Sequence, residues 1–342
     1  RAIACSRLGD TEASMSAVNR SLELHPQHMR SVLLKADLLT QQWQSAPALQ
    51  HYNYALELAD EAQELPDDMK PDLARAKTVC EQKNSEHRDF LLEKLRVEGI
   101  DPGNSHPRFM QSLDLMFGNR RVYYQQPRRF YYPGLPQIQF YEREQFDWIA
   151  EMEAHTDRIR EELVSVMQGP SRFAPYVKSG NARAGRDNQG LADNDDWGAL
   201  YLWEHGRLVT ENATLFPETI EALESDPMPE IAQQAPMALF SKLAPETRIP
   251  PHNGLLNTRL ICHLPLIVPP DCGALRVGNE ERPWVEGEIL VFDDSIEHEA
   301  WNNSDQERGI LLFEIWRPEI SLEERELLAT TLRVVKEYRE MN

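Results

Sequence analysis

Between Met237 and Trp316 the chain carries four short apolar runs, Met237 to Leu243, Arg259 to Val268, Ile289 to Phe292 and Ile310 to Trp316, separated by Pro, Gly, Asn and Asp. Runs of this length bounded by turn formers predict the strands of an all-β unit. The same stretch holds the residues best suited to chemistry: Ser241, His252 after two prolines, His263, His298 after Asp293-Asp294-Ser295, and Arg308 at the start of the last run. Two histidines at the ends of neighbouring strands, with an arginine on the next, point to a metal site with an anion anchor. Imidazole suits iron, zinc, copper or nickel, and the planar guanidinium fork of Arg308 suits a carboxylate.

Taken singly, each histidine reads equally as a hydrogen-bonded core or surface residue, and Ser241 as an ordinary strand serine. In the 2-His-1-carboxylate arrangement of non-haem Fe(II) oxygenases an acid usually stands two residues after the first histidine; here that residue is Gly254. Arg259, Ile261 and His263 share one face of their strand by period-two alternation. Asp294 and Glu297 flank His298 either as acceptors that orient an imidazole or as plain turn residues.

The 342 residues allow one to three domains, and a formal net charge of −20 argues against a nucleic-acid surface. Arg120-Arg121, Arg128-Arg129 and Arg183/Arg186 are the local basic clusters. Cys5, Cys80, Cys262 and Cys272 form no CxxC pair, so reduced thiols and a cytoplasmic setting are expected, with a Cys262–Cys272 bridge as the alternative. No apolar stretch of about 18 residues predicts a membrane span, and no signal peptide is visible.

In order, the chain opens with helical patterning at a period of about 34 residues: Gly9 aligns with Trp43, Leu22 with Leu56 and Leu24 with Leu58, the tetratricopeptide spacing. Helical pattern continues from 61 to 98, with Pro71 opening a helix. The breaker cluster Asp101-Pro102-Gly103-Asn104 marks a boundary. A short helix, Arg108 to Met116, precedes a Pro- and aromatic-rich extended arm, Tyr123 to Tyr141. Phe146 to Met167 predicts one amphipathic helix, 179 to 196 a long polar loop of the kind that acts as a lid, Trp197 to Trp203 a strand, and Phe216 to Glu224 a helix. Ser321-x-x-Glu324 is a capping box before a helix presenting Leu327, Leu328, Leu332 and Val335. The expected division is a helical domain over 1–98, a connecting segment over 99–126 and a β-rich domain over 127–342.

The spacing around the histidines resembles the aspartyl/asparaginyl β-hydroxylase family of Fe(II)/2-oxoglutarate oxygenases. The matching elements are Pro251-His252 with Gly254, Asn257-x-Arg259-Leu260 with His263, Phe292-Asp293-Asp294-Ser295-x-Glu297-His298-Glu299-x-Trp301, Arg308, and Trp316-x-Pro318. The resemblance runs from about Tyr131 to Ile320. It implies an α+β chain: tetratricopeptide-like helices followed by a double-stranded β-helix (jelly roll) with flanking helices. It also implies iron held by His252 and His298 alone, 2-oxoglutarate held by Arg308 and Ser241 with His263 near its other end, and O2 as oxidant. Animal members carry a second Arg where this chain has Ile261, which weakens the expectation of an aspartyl substrate.

The activity so implied is hydroxylation of a C–H bond, of an aspartyl, asparaginyl or other peptidyl residue presented by the helical domain, with no nucleic acid or membrane partner. A lipid acyl chain or a free amino acid is the alternative substrate. Two other classes are a tetratricopeptide-type interaction protein with an inactive β-domain and a cupin-like metal isomerase. The joint retention of Ser241, His252, His298 and Arg308 argues against the first, and the isomerase gives Arg308 and Ser241 no joint role.

Overall fold

The structure, a computed structural model, describes residues 1–62, 64–101, 105–178, 192–224, 227–231 and 234–341. The breaker residues 102–104 and positions 179–191 of the expected polar loop, with Arg183 and Arg186, lie outside the described residues. The chain divides into two compact units, Arg1–Arg121 and Val122–Asn342.

The first unit is helical: α1 (Ala2–Arg7), α2 (Thr11–Leu24), α3 (Met29–Gln41), α4 (Ser45–Glu61), α5 (Lys70–Val97, with Pro71 in its first turn) and α6 (Pro107–Met116). The turns after α1 and α3 are built alike, 34 positions apart. Asp10 N donates to Cys5 O and Gly9 N to Ser6 O; Gln44 N donates to Leu39 O and Trp43 N to Thr40 O. Both turn residues are left-handed, Gly9 at φ +77° and Trp43 at +58°, as this C-cap requires. Leu33, Ala36, Ala48, Tyr52, Ala55, Leu73 and Ala76 close the core, their alanines letting the helices approach. Trp43 is 92% exposed, so its strain has no packing return. Trp43→Gly is expected to stabilise this unit by about 1 kcal/mol, read as slower amide exchange in α3 and α4.

The second unit is a two-sheet sandwich flanked by helices. Its elements are β1 (Phe140–Tyr141), α7 (Ile149–Ala154), α8 (Thr156–Met167), β2 (Ala174–Pro175), β3 (Trp197–Glu204), β4 (Arg207–Leu208), α9 (Thr210–Ala213), α10 (Pro217–Glu224), β5 (Ala238–Leu243), β6 (Thr247–His252), β7 (Arg259–Ile267), β8 (Ala274–Val277), β9 (Glu280–Pro283), β10 (Leu290–Phe292), β11 (His298–Asn302), β12 (Arg308–Trp316) and α11 (Leu322–Met341). The large antiparallel sheet runs β1-β10-β7-β12-β5-β3-β2 with β4 on β3, and the small one β6-β11-β8-β9. One face of the large sheet packs under α7, α8 and α10 through Ile149, Ile159, Leu163 and Leu223; the other packs on the small sheet through Ile249, Leu275, Val277 and Ala300. Burial on both faces is why β5, β7 and β12 read as continuous apolar runs.

Two expectations are corrected. Phe146 to Met167 is two helices broken at His155, where Thr156 Oγ1 donates to Glu153 O (2.7 Å) and restarts the chain. On α11 the capping box forms, with Ser321 N donating to Glu324 and Glu324 N to Ser321 Oγ. Of its expected face, however, only Leu328 and Leu332 are buried, while Leu327 and Val335 are exposed. The reduced thiols expected from the sequence are found: no disulfide joins Cys5, Cys80, Cys262 or Cys272.

Candidate active site

Strand alternation decides which side chains can meet. On β5, Ala238 and Phe240 take the helix side, which leaves Leu239, Ser241 and Leu243 facing the small sheet. On β7, Leu260, Cys262 and Leu264 take the helix side, so Arg259, Ile261 and His263 face inward. On β12, Leu311 and Phe313 go outward and Ile310 and Leu312 inward, and Arg308 shares their parity. All the inward-facing site residues therefore line one layer between the sheets.

His252 ends β6 and His298 begins β11, and the two are Cα partners across the strand pair. Their ring centroids are 4.1 Å apart. His252 Nδ1 lies 2.8 Å from Pro250 O and His298 Nδ1 3.0 Å from Ile296 O. A carbonyl only accepts, so each Nδ1 carries the proton and each Nε2 keeps its lone pair for a cation. Burial lowers His252 to about 3, helped by the neighbouring His298, and His298 to about 4. Both rings are neutral at physiological pH, the form that ligates metal. Among the described residues no group of three or more His, Cys, Asp or Glu is arranged to hold a metal ion; the two imidazoles stand as a pair of neutral nitrogen donors.

Phe292 joins the pair to a second cluster, its ring centroid 5.5 Å from His298 and 4.9 Å from His263. Beyond it the Trp284 ring lies 5.5 Å from the His263 ring and 5.1 Å from the Arg308 guanidinium. Arg308 is 1% exposed, and its Nε and Nη1 have no hydrogen-bond partner; nor have His263 Nδ1 and Trp284 Nε1. Of the seven such buried atoms among the described residues, these four sit in one cluster. Burial lowers the Arg308 guanidinium to about 10 and, with Arg308 beside it, holds His263 well below its ordinary value. A buried cation among unpartnered donors costs several kcal/mol, a cost that a bound anion removes. Ser241 sits on β5, whose register sets it opposite Ile310, two residues along from Arg308. Its Oγ accepts from Trp197 Nε1 (3.3 Å). Trp197 stacks on Tyr176 (4.2 Å) and lies 6.2 Å from His252.

The place of the missing acid is filled from another segment. A Cβ at Gly254 would overlap the Asp294 carboxylate. Gly254 N donates to Asp294 O (2.6 Å), and Asp294 Oδ2 lies 3.4 Å from Arg259 Nη2. Burial raises the Asp294 carboxyl, against the pull of Arg259. Glu297 does not join this group; it pairs with Arg276 (3.2 Å).

The extended arm clamps both histidine-bearing turns. Gln126 N donates to Ser295 O (2.7 Å), Arg128 N to Gly254 O (3.0 Å) and Arg129 N to Leu255 O (3.0 Å). Below it Arg317 and Asp293, each with a fully buried side chain, form an ion pair at 2.6 Å. Trp284, Trp197, Tyr176 and the Asp293–Arg317 pair were absent from the site expected from sequence. The one signal was Pro283-Trp284, an isolated aromatic inside a charged loop.

Residues 153–318 match the family model described as aspartyl/asparaginyl beta-hydroxylase. The chain is 30% identical over 181 residues to the human aspartyl/asparaginyl beta-hydroxylase, an alignment covering 53% of this chain and 22% of that protein. It is 32% identical over 180 residues to the ornithine lipid ester-linked acyl 2-hydroxylase of Rhizobium tropici, covering 52% of this chain and 60% of that one. It therefore spans less than two thirds of either relative's length. The matched segment, 153–318, holds both histidines, His263 and Arg308, and it is this segment that is similar to the aspartyl/asparaginyl beta-hydroxylase family.

Proposed function

We propose that this protein is an Fe(II)- and 2-oxoglutarate-dependent hydroxylase whose second unit is a double-stranded β-helix and whose first unit is a tetratricopeptide-like array. The observation that carries the reading is the buried guanidinium of Arg308, its Nε and Nη1 without partners, in the same core as two neutral imidazoles whose Nδ1 atoms each face a backbone carbonyl. A dianionic cosubstrate beside a divalent cation supplies both missing charges. In this reading His252 and His298 hold the iron, Arg308 and Ser241 hold the distal carboxylate of 2-oxoglutarate, and His263 lies towards its other end. Iron so bound supplies activation of O2, coupled to decarboxylation of 2-oxoglutarate to succinate and CO2, with one oxygen atom entering a substrate C–H bond.

The chain's own residues orient and exclude water. The Nδ1–H groups bound to Pro250 O and Ile296 O fix both ligand tautomers. Trp197 holds the Ser241 hydroxyl by donating to its oxygen, which leaves the hydroxyl proton for a carboxylate. Phe292, Trp284 and Ile261 keep the layer apolar, so that each charge–charge contact is stronger than in water. A peptidyl substrate is proposed, in keeping with the helical array, a repeat type suited to presenting an extended surface. A second reading, a lipid acyl chain, draws support from Ile261, which makes apolar the wall that carries an arginine in animal members.

Anaerobic titration of Fe(II) and then 2-oxoglutarate, followed by visible absorption, tests the assignment. A metal-to-ligand charge-transfer band is expected in the wild type and absent in His252→Ala. Arg308→Ala should weaken 2-oxoglutarate binding by roughly 30-fold or more, the effect of losing a buried charge partner. No band from folded wild-type protein would sink the proposal.

A further inference from the structure

The cluster around Arg308 contains one polar group with no role so far, the indole N–H of Trp284. Trp284 follows β9 and is 5% exposed. Its backbone N lies 3.5 Å from Gly273 O, and three residues on Gly287 N donates to Pro265 O (2.9 Å), so the loop is pinned on both sides of the ring. The indole covers the Arg308 guanidinium at 5.1 Å and leans on His263 at 31°. Its Nε1–H is buried and has no acceptor. An indole N–H is an obligate donor, and a buried donor without an acceptor is rare enough to need an explanation. The nearest explanation is shared: Arg308 Nε and Nη1, in contact with the same ring, also lack acceptors. Three obligate N–H donors on two side chains in contact thus lack an acceptor, which one anionic group bound beside them would supply.

We propose that Trp284 is a cosubstrate-binding residue, its ring lidding the Arg308 guanidinium and its indole N–H donating to the anion that Arg308 binds. The inference rests on the reading of this cavity as the 2-oxoglutarate site. It gives Trp284 two separable jobs. The ring excludes water from the guanidinium and so strengthens the ion pair. The N–H adds a hydrogen bond to a charged acceptor, of the stronger class.

Trp284→Phe keeps an aromatic ring beside Arg308 and removes the donor, with a smaller ring in its place. In anaerobic calorimetry of the Zn(II)-loaded protein, 2-oxoglutarate should bind this variant about tenfold more weakly than the wild type. The ligand-free melting temperature should fall by only a few °C, the cost of the smaller ring, because the donor lost was unpartnered there. A purely structural tryptophan would give the reverse pattern, a markedly lower ligand-free melting temperature with affinity unchanged. Should the variant fail to fold, indole-15N-labelled wild type decides the matter. One of its seven tryptophan N–H signals should move downfield when 2-oxoglutarate is added to the Zn(II) form. Equal affinity in Trp284→Phe, or no indole shift in the wild type, overturns the proposal and leaves the functional assignment standing. Failure of wild-type protein to bind 2-oxoglutarate overturns both.

Discussion

Asp293→Ala is expected to cost about 3–5 kcal/mol, the usual penalty for removing one member of a buried ion pair, and to lower the melting temperature of the β-rich unit by on the order of 10 °C. Arg317 and Asp293 are both 0% exposed and meet at 2.6 Å. The carboxylate also accepts from Gln125 Nε2 (2.7 Å) and from Ser295 N and Oγ (3.0 and 2.6 Å). The guanidinium donates to Pro136 O (2.9 Å) and Tyr141 Oη (2.5 Å). One ion pair thus fixes the arm, β1 and the turn leading to His298. The single variant strands a buried cation. The double variant Asp293→Ala/Arg317→Met strands no charge and should recover at least half of the loss, since an apolar replacement of a buried pair is often neutral. Thermal denaturation of the three proteins checks this. A single variant as stable as the wild type would mean that the pair is not what holds the turn.

Gly254→Asp, which writes the acid of the common iron triad back into the sequence, is expected to damage the protein. Any Cβ at 254 runs into the Asp294 carboxylate. Moving that carboxylate strains a packed region by about 1–3 kcal/mol, and a second carboxylate beside it adds like-charge repulsion. The variant should lose about 3 kcal/mol and bind Fe(II) no better than the wild type. Gly254→Asp/Asp294→Gly removes both the overlap and the repulsion and should return most of the stability. Urea unfolding and anaerobic Fe(II) titration of both variants give the answer. Undiminished stability in Gly254→Asp would show that the two positions do not compete for one space.

The central strands were legible because burial on both faces leaves a run of apolar residues with no other use. A strand was expected to end at His252, but β6 itself was not legible as an apolar run. Its sequence, Thr-Arg-Ile-Pro-Pro-His, contains two prolines. It pairs only with β11, at the edge of the small sheet, where missing N–H groups are tolerated. His252, His263, His298 and Arg308 could be named from spacing and family resemblance, and strand parity places His263 and Arg308 in one layer. Trp284 and Arg317 could not be named, because their partners lie in other segments: Arg308 for the first, Asp293 and Pro136 for the second. The break at His155 was equally hidden, since the apolar spacing of α7 and α8 runs through it.

The arm has a consequence for what counts as one transplantable piece. The segment recognisable from sequence as the family's own is 153–318, yet the backbone donors that tie Gly254, Leu255 and Ser295 together come from Gln126, Arg128 and Arg129. A fragment cut at residue 153 would keep both imidazoles and lose the strap across them. Among proteins that borrow this chemistry by gene fusion, the shortest inheritable cassette would be the compact unit that begins at Val122. The border drawn by sequence similarity falls about 30 residues inside the border drawn by hydrogen bonds.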